Sequence, residues 1–121
     1  MSEYKIETKC IQSGYQPKNG EPRVLPIYQS TTYKYDSAAE MGDLFDLKAA
    51  GHMYSRISNP TLSEVEKKIA DLEGGTGAVL CASGMAAILV AVLNISSAGD
   101  NIVASASVYG GTVNLSRVTL K

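Results

Sequence analysis

The amino-acid sequence predicts an α/β fold in which short strands of a parallel-type sheet alternate with helices. Segments 77–82 and 101–105 are short and rich in apolar or β-branched residues, as buried strands are. A helical sequence follows each segment, and strand–helix–strand–helix order with short links is typical of a parallel sheet. A sheet with two strands has open edges. We therefore expect this chain to be the beginning of a larger domain.

Composition narrows the class of protein. The 121 residues carry 11 Lys and Arg against 12 Asp and Glu, so the net charge is −1, and no basic patch suits nucleic acid or an anionic membrane. The longest apolar run, 85–93, is too short to span a bilayer, and the N-terminus lacks a signal-peptide profile. Cys10 and Cys81 do not suggest a disulfide framework. We expect a cytoplasmic protein without a metal site, a membrane partner or a nucleic-acid partner.

Residues 1–35 contain three of the four prolines and show no helical period, which predicts an extended arm. The apolar and aromatic residues in it indicate an arm that packs against another part of the protein through Ile27, Tyr28, Tyr33 and Tyr35. A disordered terminus is the alternative.

Three helices are predicted besides the one that follows the first strand. Asp36-Ser37 is a capping pair before a helix over 38–50, whose Phe45 we expect in the core. Asn59-Pro60 starts a second helix that ends at Gly74. A third helix covers 112–120. The apolar face of the second helix is formed by Leu62, Val65, Ile69 and Leu72.

A candidate anion site lies where the first strand turns into its helix, at Ser83-Gly84. Ser is a good N-cap, and a helix start presents free N–H groups and a partial positive charge, which suit a phosphate. Tyr109 follows the second strand, so we expect it at the same edge of the sheet. A turn that serves packing alone is the alternative.

Tyr54 and Arg56 form a second candidate pair. Side chains two residues apart in an extended segment project to the same side, and a phenol beside a guanidinium suits a phosphate or carboxylate. The alternative is a surface tyrosine and a solvated arginine. His52 stands alone as the single histidine and is weak evidence for catalysis or metal binding.

Four motifs resemble the pyridoxal-phosphate-dependent enzymes of cysteine and methionine metabolism. The spacer over 42–47 is most similar to the O-acetylhomoserine sulfhydrylase branch of that family. The motifs are VLPIYQSTT at 24–32, YSRISNPT at 54–61, ASGMAAI at 82–88 and VYGGT at 108–112.

The resemblance implies the aspartate-aminotransferase-like fold, fold type I, in a homotetramer built from two dimers. Residues 1–55 would be an arm and helix that contribute to the neighbouring subunit, and 56–121 the beginning of the large cofactor-binding domain. The cofactor would be pyridoxal 5'-phosphate.

The resemblance also assigns site residues. Ser83, Gly84 and Met85 would bind the cofactor phosphate, and Tyr109 would stack on the pyridine ring and act in catalysis. Tyr54 and Arg56 would serve the phosphate of the neighbouring subunit.

The implied reaction in methionine biosynthesis joins O-acetylhomoserine to sulfide or a thiol, giving homocysteine or a thioether and releasing acetate. Cystathionine γ-synthase and methionine γ-lyase activities on the same scaffold are alternatives. The lysine and the aspartate that bind the cofactor ring in this family would lie beyond residue 121, so we expect the chain alone to be inactive. If the protein ends at Lys121, the alternative is a non-catalytic module that binds an anion or mediates oligomerisation.

Overall fold

The computed structural model describes residues 4–120, whose regular secondary structure is helical. By contacts the chain forms two compact units, one ending at Val79 and the other beginning at Leu80. The helices of the described range are α1 (Ile6–Gln12), α2 (Ala38–Phe45), α3 (Pro60–Glu73), α4 (Gly84–Ile95), α5 (Gly110–Asn114) and a π-helical segment (Leu115–Thr119).

In the first unit, α1 packs against α3, and this contact explains a helix that the sequence did not predict. The helix α1 has no side-chain cap and no buried residue, so its own sequence gives little support to it. Contacts with α3 stabilise it: Lys9 Nζ lies 3.2 Å from Asp71 Oδ1, and Ser13 Oγ donates to the same carboxylate. Lys68 Nζ donates to the Cys10 carbonyl at 3.2 Å. Within the predicted extended arm, Ile6–Gln12 is therefore a helix that the sequence did not predict.

The helix α2 starts as predicted and ends earlier. Ser37 Oγ accepts from the Glu40 N–H at 3.2 Å and caps it. The last helical residue is Phe45 rather than Ala50, because Leu47 adopts a left-handed conformation with φ +57°. Leu44 is buried at 3% exposure, whereas Phe45 is 62% exposed, so the core assignment of Phe45 was wrong.

The structure confirms the predicted bounds of α3. Asn59 Oδ1 accepts from the Thr61 N–H at 2.9 Å, and Gly74 ends the helix with φ +66°. Its apolar face is only partly covered, since Leu62, Val65 and Ile69 are 44%, 40% and 41% exposed.

In the second unit, α4 has the predicted position and α5 contacts it. The third predicted helix starts earlier, at Gly110, and changes character at Leu115. There the Leu120 N–H donates to the Leu115 carbonyl at 3.0 Å, five residues back. Leu115 is the buried apolar residue of this segment, at 8% exposure.

The segments predicted as strands, 77–82 and 101–105, are not assigned as strands in the described part of the chain. Val79 and Val103 are 75% and 99% exposed. A strand is stable only when neighbours complete its hydrogen bonds, so an apolar β-branched sequence alone does not form one. An isolated antiparallel bridge joins Thr32 to Tyr54.

Cys10 is exposed and Cys81 is half-buried, and both are free thiols. Cys81 is thus less enclosed than a buried strand would make it. No helix between residues 4 and 120 has the length and apolarity needed to cross a membrane.

Candidate functional site

The predicted site residues of the second unit begin at the first turn of α4. Ser83 is extended, with φ −155°, and its Oγ accepts from the Ala86 N–H at 3.1 Å. The first helical carbonyl to accept is that of Ser83, from the Ala87 N–H at 3.0 Å. Gly84 and Met85 therefore occupy the positions whose N–H groups no helical carbonyl reaches. A Cβ at Gly84 would meet no atom within 4 Å, so the space beside this residue is open.

Tyr109 lies at the start of α5, and the lack of a side chain at Gly111 leaves room for its ring. A Cβ on Gly111 would lie 2.5 Å from Tyr109 Cε1 and 3.3 Å from Met85 Sδ. The ring and the thioether thus approach the same glycine, and the structure brings Met85 and Tyr109 together. Tyr109 is 74% exposed, which leaves a large part of the phenol ring free to stack on a planar group.

In the first unit, Tyr54 and Arg56 form a pair. The guanidinium carbon of Arg56 lies 5.4 Å from the centre of the Tyr54 ring, a cation–π distance. The two side chains share a side, as their spacing predicts. The backbone is a turn rather than an extended strand, because the Ile57 and Ser58 N–H groups donate to the Tyr54 carbonyl at 2.9 and 3.0 Å.

The arm anchors this turn. Thr32 pairs with Tyr54 in the isolated bridge, and the Ser55 N–H donates to the Thr31 carbonyl at 2.9 Å. Ser55 Oγ donates to the Ser30 carbonyl. Ser55, between the two predicted site residues, is thus bound to the arm through both its backbone and its hydroxyl.

A hollow of about 390 Å³ lies beside the Tyr54–Arg56 pair. It is mostly apolar, and the exposed Phe45 ring forms part of its wall. Its lining consists of Thr32, Tyr33, Met41, Phe45, Met53, Tyr54, Arg56 and Ile57. A larger cavity of about 640 Å³ lies between α1, α3 and the arm, and no predicted site residue lines it.

His52 contacts side chains of the first unit through its ring and its backbone carbonyl. Its Nδ1 lies 3.1 Å from Ser58 Oγ, its carbonyl accepts from the Tyr35 hydroxyl at 2.9 Å, and its ring lies 6.0 Å from that of Tyr33. Among the described residues, no group of three His, Cys, Asp or Glu side chains is arranged to hold a metal ion.

Two residues next to the site were missed by the sequence analysis. Gly111 was considered only as part of a motif, and Asn59 only as a helix cap. Asn59 is buried, at 7% exposure, and bonds groups that are 26 and 31 residues away in the chain. No local sequence signal reports such partners.

Asp71, at the α1–α3 contact and away from the candidate site, has a lowered pKa. The hydrogen bond from Ser13 and then the bond from Lys9 stabilise the charged carboxylate, and they lower the pKa of Asp71 below its ordinary value of 3.8. This shift belongs to the packing of the arm rather than to the candidate site.

The sequence of this chain is similar to proteins of known family. Residues 7–121 match the family described as Cys/Met metabolism PLP-dependent enzyme. O-acetyl-L-homoserine sulfhydrylase 1 of Thermus thermophilus is 46% identical over 97% of this chain, and O-acetyl-L-homoserine sulfhydrylase of Corynebacterium glutamicum is 44% identical over 98%. A protein of Schizosaccharomyces pombe named homocysteine synthase is 42% identical over 95%.

The fold is shared with a solved structure. A Campylobacter jejuni protein described as an O-acetylhomoserine (thiol)-lyase, with a pyridoxyl-lysine phosphate, superposes with a TM-score of 0.90 and 36% identity over 98% of this chain. The chain spans 27–28% of the length of the three named relatives and 29% of that structure. These matches confirm fold type I for the described residues and agree with the resemblance seen in the motifs. The chain belongs to the Cys/Met metabolism family of pyridoxal-phosphate-dependent enzymes.

Proposed function

We propose that this chain is the N-terminal part of an enzyme that joins O-acetylhomoserine to sulfide or a thiol, giving homocysteine or a thioether and releasing acetate. The observation that carries the proposal is the match to three proteins named O-acetyl-L-homoserine sulfhydrylase, each 43–46% identical over 96–98% of this chain. The amino acid and sulfide or thiol are the proposed small-molecule partners.

The first turn of α4 suits the phosphate of pyridoxal phosphate. The N–H groups of Gly84 and Met85 can donate to phosphate oxygens there, and the helix start supplies a partial positive charge. Space is open beside Gly84, and Ser83 orients the turn through its bond to Ala86. The residues present therefore fit the anionic end of the cofactor.

Tyr109 fits the aromatic end of the same cofactor. Its exposed face can stack on a pyridine ring, and the lack of a side chain at Gly111 leaves room for the Tyr109 ring in this position. When bound, pyridoxal phosphate supplies an electron sink for the amino-acid carbons, which allows the acetate to leave. We assign the Tyr109 hydroxyl the task of holding or moving a proton near those carbons.

Tyr54 and Arg56 are proposed to bind the phosphate held by a neighbouring subunit. Support comes from the exposure of Arg56, from its placement over the Tyr54 ring, and from the way the arm fixes the turn. A guanidinium suits this role because its planar fork donates to two phosphate oxygens at once. In this proposal, residues 1–55 contribute to the neighbouring subunit, 56–121 begin the cofactor domain, and the enzyme is a homotetramer of two dimers.

The cytoplasm is the proposed compartment. Both cysteines are free thiols, which suits a reducing environment.

Product analysis with a substrate panel tests the proposed reaction. We expect the complete enzyme that carries this chain to convert O-acetylhomoserine and sulfide to homocysteine in the presence of pyridoxal phosphate. Preferential formation of cystathionine from cysteine would instead assign a cystathionine γ-synthase. Release of methanethiol from methionine would assign a γ-lyase. No turnover of any of these substrates by cofactor-loaded enzyme would contradict the proposal.

A further inference from the structure

Asn59 bonds to more groups than a helix cap requires. Its Oδ1 caps α3 by accepting from the Thr61 N–H at 2.9 Å. Its Nδ2 faces three acceptors, which are the Tyr28 carbonyl at 2.9 Å, Ser55 Oγ at 3.0 Å and the Tyr33 hydroxyl at 3.2 Å. Asn59 is buried, at 7% exposure, and these bonds are partly buried.

The donor side of Asn59 is the part that capping does not explain. The caps of α2 and α4 are the hydroxyls of Ser37 and Ser83, each of which accepts a single bond from the first turn of its helix. A buried amide N–H group is costly unless it is paired. At Asn59 the arm and the turn at Ser55 supply the acceptors, so this pocket is built around an amide donor.

Ser55 connects Asn59 to the candidate site. It lies between Tyr54 and Arg56, and its Oγ contacts Asn59 Nδ2 and the Tyr33 hydroxyl while its N–H binds the Thr31 carbonyl. Both polar groups of Ser55 are thus bound within the unit. The Arg56 guanidinium in turn lies over the Tyr54 ring.

We propose that Asn59 is a positioning residue, which locks the arm carbonyl of Tyr28 and the hydroxyl of Ser55 so that Tyr54 and Arg56 are held together before an anion binds. The proposal rests on the proposed function in one respect, that this pair binds the cofactor phosphate.

The variant Asn59→Ser tests it, because Ser retains a capping oxygen and removes the amide donor. Ser37→Ala is the matched control, since it removes a cap from α2 and leaves the Asn59 contacts intact. The first measurement needs no cofactor: amide hydrogen exchange of the complete protein prepared without pyridoxal phosphate. We expect exchange at Ser55 to be about tenfold faster in Asn59→Ser, as for loss of one net hydrogen bond, and unchanged in Ser37→Ala.

The second measurement is the affinity for pyridoxal phosphate. Asn59→Ser should bind it about tenfold more weakly, again the factor for one net hydrogen bond. Adding Arg56→Ala to Asn59→Ser should cost no more than Arg56→Ala alone, because the two changes act through the same contact. If Asn59→Ser gives little folded protein, Asn59→Asp serves instead, since it has the same shape and retains the cap but places an acceptor against the Tyr28 carbonyl.

The outcomes separate the two proposals. Unchanged exchange at Ser55 in Asn59→Ser would overturn the positioning role. The positioning role would also be overturned if Asn59→Ser exchanges faster at Ser55 but binds the cofactor as tightly as wild type, while Arg56→Ala weakens cofactor binding. If Arg56→Ala has no effect on cofactor affinity, the proposed function of the pair fails, and additive losses in the double variant would show that Asn59 acts independently of Arg56.

Discussion

At the scale of single residues, the Tyr109 ring occupies space that a side chain at Gly111 would fill. Gly111→Ala would place a methyl group 2.5 Å from Cε1 of the Tyr109 ring, so the ring must move. We expect the complete enzyme with Gly111→Ala to bind pyridoxal phosphate up to about tenfold more weakly, a loss equivalent to one stacking contact. Gly110→Ala is the control, because a Cβ there meets no atom within 4 Å. Equal affinities for both variants and wild type, by absorbance titration, would contradict the stacking role of Tyr109.

Arg56 carries the second prediction at this scale. Arg56→Ala removes both the charge and the planar fork, and Arg56→Lys removes only the fork. We expect cofactor retention during dialysis to fall in the order wild type, Arg56→Lys, Arg56→Ala, with a loss of affinity of about tenfold or more for Arg56→Ala, as for a charge-assisted hydrogen bond. Wild-type retention by both variants would show that Arg56 does not bind the phosphate.

The sequence could predict some residue positions and not others. The spacing of Tyr54 and Arg56 placed the two side chains on one side, and the structure agrees although the backbone turns. The environment of Asn59 was out of reach, because its partners Tyr28 and Tyr33 come from a distant part of the chain. Phe45 was misplaced because helical spacing puts Leu44 and Phe45 on neighbouring positions of one face, and only Leu44 of the two is buried.

At the scale of elements, prediction succeeded where capping residues mark the ends. The helix α3 has Asn59 and Pro60 at its start and Gly74 at its end, and Ser83 starts α4. The seven residues of α1 lack a cap and are too few to form a helix without tertiary contacts. The predicted strands did not form, because a strand depends on hydrogen bonds to neighbouring strands, which a local sequence pattern does not supply.

The α1–α3 contact gives a prediction about pH. Hydrogen bonds from Ser13 and Lys9 lower the pKa of Asp71, so the contact contributes stability above the ordinary carboxyl pKa and loses it as the pH falls through the lower folded pKa. Asp71→Asn should therefore reduce the hydrogen-exchange protection of α1 near neutral pH. The difference from wild type should shrink as the pH is lowered from about 6 to about 2.5.

A matched acidic residue provides the control for this measurement. Asp46 pairs with Lys48 two residues away on an exposed surface, and the two side chains are 60% and 66% exposed. Asp46→Asn should leave α1 unchanged at every pH, because an exposed pair of this kind contributes little. A difference between wild type and Asp71→Asn that stays constant with pH would contradict a role for the Asp71 charge.

At the scale of the whole molecule, much of the apolar surface of each unit is uncovered. In the first unit Leu44 and Met53 are the buried apolar residues among those described, and in the second Leu115. On α4, Val90, Leu93 and Ile95 are 49%, 59% and 83% exposed. Exposed apolar surface of this kind suits contact with further protein, as a homotetramer and a larger cofactor domain would provide.

Subunit complementation between Arg56→Ala and Tyr109→Phe, followed by sulfide-dependent acetate release from O-acetylhomoserine, tests directly whether the site is shared between subunits. If Arg56 serves the neighbour's cofactor, a hybrid dimer has one site with both defects and one intact site. Hybrids purified through two different tags should then recover about half of the wild-type activity, as symmetry requires. Hybrids no more active than their parents would contradict a site shared between subunits.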